Sequence, residues 1–466
     1  MTERDELQGD ARDGSATDPD ATPIQSEAMN PGRRMTALLA WLIAVGLVAL
    51  IGSSQYTPED ADAGSGTPSV VPQASEIEAF ARVAIGLNQV SPSSAADLVD
   101  DLSAAAAGDD QLRVVVLRAE VSGLERAREA LAEARPALRG ERARVAETLA
   151  ALYAGETVSE AGRTLLRERL GWCGELAVTW GMDAEQAPRS EVLAAAQTAL
   201  GMLALGLVLV VLLGLASLVL FAWALVRIRN RRVQTRMQVL HGDTAGIVAF
   251  AAFLLGFLGY QLIALGIANA LEVELPLWSM WGLLMLAPPW LALLRSETSN
   301  WREVFTRLGW HRGDGVLREM GAGLLGYLAG IPLVLLGVIV ANWLMQLGAS
   351  EPQHPIQQEI GATAGVGWLV LLSMVSLWAP LVEETVFRGA LYHHLRSWSG
   401  ITVSVMAQGV LFAAVHPQGL SGIPVLAALG CVFGLIREWR GSLIGCVTAH
   451  AVHNGAAIGL MWVLYG

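Results

Sequence analysis

Cysteine is scarce in this chain: Cys173, Cys431 and Cys446 are the three among 466 residues, scattered and without paired spacing. That excludes a disulfide framework and a cysteine metal site. Charge is also sparse, at 16% of residues against 53% hydrophobic, and the mean hydropathy is +0.46. Such a balance excludes an ordinary soluble protein of this length. Lysine is absent altogether, so every Lys-or-Arg cation is arginine, a compositional bias that says little about mechanism. The net charge of −12 arises mainly from acidic residues in the N-terminal tail and in 53–192, and it argues against a nucleic-acid partner.

What the chain does have is long apolar runs, which make it a polytopic membrane protein of the all-α class. Residues 1–32, rich in Asp, Glu, Ser, Thr, Gly and Pro, cannot bury enough surface to fold and read as a disordered acidic tail. Arg33 and Arg34 precede an apolar run to Gly52, a transmembrane anchor over 33–52. Composition turns soluble over 53–192, where Leu124, Ala127, Leu131, Leu138, Val145 and Leu149 recur at helical spacing, predicting an inserted helical domain. Further spans are expected at 198–226, 244–270, 276–294, 320–346, 365–394, 401–415, 423–436 and 443–465, making about nine with the anchor. A basic loop closes the 198–236 segment, and a core follows over 240–466.

Arginines cluster in alternate loops: Arg33 and Arg34, then Arg227 to Arg236, Arg295 to Arg318, Arg388 and Arg396, and Arg437 and Arg440. The positive-inside rule therefore expects a plasma-membrane protein with a cytoplasmic N-terminus and an extracytoplasmic 53–192 domain.

One stretch breaks the apolar pattern. Glu383-Glu384-Thr385-Val386-Phe387-Arg388-Gly389 places two carboxylates and an arginine at membrane depth, where ionisable groups are costly unless paired, wetted or functional. Glu384 and Arg388 are four apart in the favourable order for an intrahelical ion pair. Glu383 lies about 100° around the helix, without that partner, in a low-dielectric setting suited to a general base. Pro380 can kink the helix and release backbone groups toward a wet cavity. Two other apolar helices carry Phe412 with His416, and His450 with Asn454, again four apart. A carboxylate, two imidazoles and a carboxamide suffice for peptide hydrolysis. Glu383 and His416 would activate water, and His450 and Asn454 would donate to the oxyanion. The bland alternative for any one such residue is interhelical glue, but three elements gathered in the last hundred residues favour a site.

Together, Glu-Glu-Thr-Val-Phe-Arg at 383–388, Phe-Ala-Ala-Val-His at 412–416 and His-Ala-Val-His-Asn at 450–454 resemble the EExxxR, FxxxH and HxxxN motifs of the CAAX protease and bacteriocin-processing (CPBP, Abi) family. That family includes the Ras-converting CAAX endoprotease. The resemblance covers roughly 240–466 and implies an intramembrane endopeptidase with a helical core of about eight spans, acting on a membrane-associated protein or peptide within the lipid bilayer. Its motif residues fall on Glu383, Glu384, Arg388, Phe412, His416, His450 and Asn454. The family is often labelled a metalloprotease, and Glu383, His416 and His450 would suffice to hold zinc with an open fourth position. No HExxH is present, however, and the same set reads as a glutamate-activated water with no obligatory metal.

Competing readings are a non-catalytic scaffold or immunity-type protein, a proton-coupled transporter, and a rhomboid-type serine protease built on Gly419-Leu420-Ser421-Gly422. The tetrapeptide reads more simply as a turn, and no inverted repeat supports a transporter. His393 and His394 read as solvated bystanders, Trp278, Trp281, Trp290 and Trp343 as an aromatic belt, and Trp301–Trp310 as an interfacial helix.

Overall fold

The computed structural model describes residues 31–54, 74–106, 108–239, 242–271, 300–349, 366–416 and 418–465. Among them there is no strand, and seven helices are long and apolar enough to cross a membrane. The chain is an all-α, multi-pass membrane protein. The expected acidic tail and the 276–294 span, with Trp278, Trp281 and Trp290, lie outside the described residues. The expected 401–415 span is an apolar helix of 14 residues, shorter than the other seven.

Helix α1 (Pro31–Ser54) leads to a helical bundle of α2 (Ala74–Asn88), α3 (Pro92–Ala105), α4 (Asp109–Val121), α5 (Leu124–Ala134), α6 (Glu141–Tyr153), α7 (Glu160–Leu170) and α8 (Trp172–Val178). Leu112, Leu117, Leu149, Leu166 and Cys173 are fully buried at its centre. The next helix, α9 (Arg189–Arg229), has no break between domain and span. Its first residue, Arg189, is buried in the domain on Glu120 at 2.6 Å, so the helical bundle and the apolar candidate span share one continuous helix.

After α10 (Ala245–Leu271) and the short α11 (Trp301–Leu308) come α12 (Val316–Gln346), α13 (366–398), α14 (Ile401–Ala414), α15 (Gly419–Arg440) and α16 (Leu443–Tyr465). Glycine makes the central packing of α12 feasible. A Cβ on Gly323 would lie 2.2 Å from the Gly445 carbonyl, on Gly330 2.5 Å from Val432, and on Gly337 2.7 Å from the Pro424 carbonyl. These three stand seven apart on one face, letting α12 lie directly against α15 and α16. The anchor α1 is part of the same core, with Ala37, Ala40, Ala44 and Val48 packed among residues of α10, α13 and α14.

One end of the bundle gathers the arginine-bearing loops. Arg236 pairs with Asp314, Arg440 reaches Glu319 at 2.7 Å and Asp314 at 2.9 Å, and Arg396 reaches Glu438 at 2.9 Å. Segments that the charge pattern assigns to one side of the membrane thus meet in space.

Candidate active site

Helix α13 is irregular on either side of its carboxylates. Wide π-helical turns at Met374–Trp378 and Thr385–Leu391 flank an α-helical segment, Ala379–Glu384. Such bulges are common at functional sites because they release backbone groups. Here the Ala379 N–H returns to the Met374 carbonyl, and Pro380 has no N–H to offer. The Val375 carbonyl is consequently taken by another helix, accepting from Asn454 Nδ2 of α16 at 2.9 Å. Asn454 was expected at an oxyanion; one of its two amide protons is instead committed to this carbonyl.

Glu384 and Arg388 form their i, i+4 pair, Nη1 to Oε1 at 3.0 Å, with both side chains wholly buried. Arg388 also donates to the Gly430 carbonyl at 3.2 Å and lies over the rings of Phe412, at 4.5 Å, and Phe433, at 5.1 Å. The same Glu384 oxygen meets His450 Nδ1 at 2.8 Å. An ionised Glu384 accepts only, so Nδ1 carries the proton and His450 Nε2 presents its lone pair when the ring is neutral. Phe433 stacks on the His450 ring at 4.9 Å between centroids.

His416 is oriented in the same sense. Its Nδ1 donates to the Phe412 carbonyl at 2.6 Å, and Phe412 lies against its ring at 4.5 Å. Both imidazoles therefore aim Nε2 at one atom, Glu383 Oε2, from 3.7 Å for His416 and 3.9 Å for His450. These separations exceed a hydrogen bond, and Oε2 is buried without a hydrogen-bond partner among the described residues. A small polar molecule bridging them would satisfy all three. Glu383 keeps 20% side-chain exposure and His416 23%, whereas Glu384 has none. The reachable carboxylate is Glu383, and Glu384 orients His450.

The metal question can be put to this geometry. Among the described residues no group of three or more His, Cys, Asp or Glu is arranged to hold a metal ion. Glu383, His416 and His450 are disposed around one gap, with both imidazole Nε2 atoms within 4 Å of the same carboxylate oxygen.

Other expectations are corrected. His393 and His394 are buried, not solvated. His393 Nδ1 meets Asp243 at 2.9 Å, and His394 Nε2 accepts from Trp41 of the anchor at 3.0 Å, tying α1 and the α10 entry to α13. Gly419–Gly422 is the first turn of α15 and Ser421 is fully buried, so no exposed serine loop stands beside the site.

Three contributors escaped the motif reading. Gly430 and Phe433, on α15, carry no polar signature. Gln408 does: it precedes Phe412 and His416 at the same four-residue interval, and its Nε2 donates to the Gly430 carbonyl at 2.6 Å.

Residues 365–456 match the family described as type II CAAX prenyl endopeptidase Rce1-like. This stretch contains every residue of the constellation above. No curated protein and no solved structure matches the chain.

Proposed function

We propose that this protein is an intramembrane endopeptidase in which Glu383 activates water against the peptide bond of a membrane-associated protein or peptide. The Rce1-like match supports a protease at the level of the family. The observation that carries the mechanism is the convergence of two Nε2 atoms on one partly exposed carboxylate. Water held between Glu383 and His416 gives a proton to the Glu383 carboxylate as its oxygen attacks the scissile carbonyl carbon. In its charged form His450 keeps Nδ1–H on Glu384 and donates from Nε2 to the oxyanion, helped by the second N–H of Asn454. Glu383 then passes its proton to the leaving nitrogen as the C–N bond breaks, leaving a carboxylic acid and an amine. Arg388 holds Glu384 in place, and Phe412 and Phe433 hold the imidazoles.

The test is cleavage of membrane-peptide substrates by purified wild type, Glu383→Gln and His416→Ala, each with and without a strong chelator. Loss of roughly a thousand-fold is expected in Glu383→Gln, with wild-type activity kept in chelator. A folded Glu383→Gln variant with full activity overturns the proposal. Chelator-sensitive wild type would put a metal in the reaction and displace the free-water step.

A further inference from the structure

The segment after α11 is bonded at once to the helix that carries Glu383 and to the hairpin that carries His450. Trp310 Nε1 donates to Thr385 Oγ1 at 3.0 Å, and Thr385 Oγ1 donates onward to the Leu381 carbonyl at 2.6 Å. Thr385 directly follows Glu384 and opens the second wide turn of α13. On the other side, the Leu443 N–H donates to the Gly309 carbonyl at 2.9 Å, and Ser442 Oγ to the His311 carbonyl at 2.8 Å. Leu443 starts α16, the helix of His450 and Asn454.

Arg437 closes the bracket. It is buried, and it donates through Nη2 to the Leu308 carbonyl at 3.1 Å and through Nε to the Arg388 carbonyl in the wide turn at 3.4 Å. Glycine is required at position 309 and gives a close approach at 389. Gly309 has φ of +102°, and a Cβ there would stand 2.6 Å from the Arg437 guanidinium; Gly389 would carry a Cβ 3.1 Å from Leu308. The outward face of α11 presents Trp301 and Phe305, 38% and 40% exposed, opposite buried Val304 and Leu308. That two-sided pattern suits a helix lying in the membrane interface.

We infer that Trp310 is a positioning residue for the proposed hydrolysis: through Thr385 it fixes the carboxylate segment of α13 relative to the start of α16, and so sets the gap between Glu383 and His450. The inference rests on the proposed function above. It makes Trp310 act through Glu383 and His450, not on substrate.

The test replaces the indole donor while keeping an aromatic ring. Trp310→Phe, Thr385→Val and the double variant are compared with wild type and Glu383→Gln for kcat, KM and hydrogen exchange of the 379–391 amides. A lost hydrogen bond of this kind is worth about a five-fold change. The expected result is a fall in kcat of at least that size in Trp310→Phe, with KM unchanged. Thr385→Val should give a like fall, the double variant no more than either single, and exchange over 379–391 should quicken. A Trp310→Phe enzyme with wild-type kcat and unchanged exchange overturns the inference while leaving Glu383 untouched. Additive losses in the double variant overturn it as well. Were Glu383→Gln as active as wild type, the proposed function would fail instead, and exchange would still report whether Trp310 holds the segment.

Discussion

Removing the guanidinium of Arg388 while keeping most of its bulk, as in Arg388→Met, isolates the energetics of the buried pair. The substitution strips Glu384 of its arginine partner, deprives the Gly430 carbonyl of one donor, and removes a cation from the faces of Phe412 and Phe433. Both partners have no solvent exposure, so water cannot take over. Breaking one side of such a pair costs about 3–5 kcal/mol, and the lost ring contacts add about 1 kcal/mol. For a cooperative unit of about 200 residues this lowers Tm by roughly 10 °C or more. Glu384→Gln should be costly for the complementary reason, leaving a buried cation. The double variant Glu384→Gln/Arg388→Met carries neither charge and should recover about 2–3 kcal/mol of the summed losses. Thermal melting of the four purified proteins in one detergent reads out the cycle. An Arg388→Met single variant melting within about 1 °C of wild type would refute the reasoning, since the smallest cost above exceeds that by far. Strictly additive singles would show that the two residues act separately.

The remaining expectations are narrower. Gly323→Ala should destabilise the bundle by about 1–3 kcal/mol, because its Cβ would meet the Gly445 carbonyl at 2.2 Å. Gly321→Ala, where a Cβ meets nothing within 4 Å, is the matched control, and equal melting of the two would sink the close-packing argument. Burial pushes the Cys173 thiol up to about 12, so at pH 8 it should resist alkylation in the folded protein and react only on unfolding. Mass spectrometry showing modification of Cys173 at native melting behaviour would contradict its place in the domain core.

The Glu384–Arg388 pair is a local matter, since four residues return a helix to the same face whatever surrounds it. The orientation of His450 is different: it depends on Glu384, 66 positions away in sequence, and no spacing rule relates them. Gln408 shared the interval of Phe412 and His416, yet its target, the Gly430 carbonyl 22 positions away, comes within reach only because two helices cross there. His393 and His394 looked interfacial from their position beside Arg396. Asp243, just before α10, and Trp41 of α1, both distant in sequence, bury them instead.

By itself, then, the sequence determined the class of the protein, the apolar spans, and which few residues stand at membrane depth with chemistry to offer. Periodicity and hydropathy are properties of single helices, and each helix satisfies its own backbone in the bilayer. Tertiary structure alone decided that α1 joins the core, that α9 runs unbroken from the helical bundle into the apolar span, and that Asn454 serves the carbonyl Pro380 cannot. It also decided that two imidazoles converge on Glu383. These follow from how closely helices approach, which glycines such as Gly323, Gly330 and Gly337 permit, and from where a wide turn releases a carbonyl. Both are set between helices, where the one-dimensional pattern carries no distance.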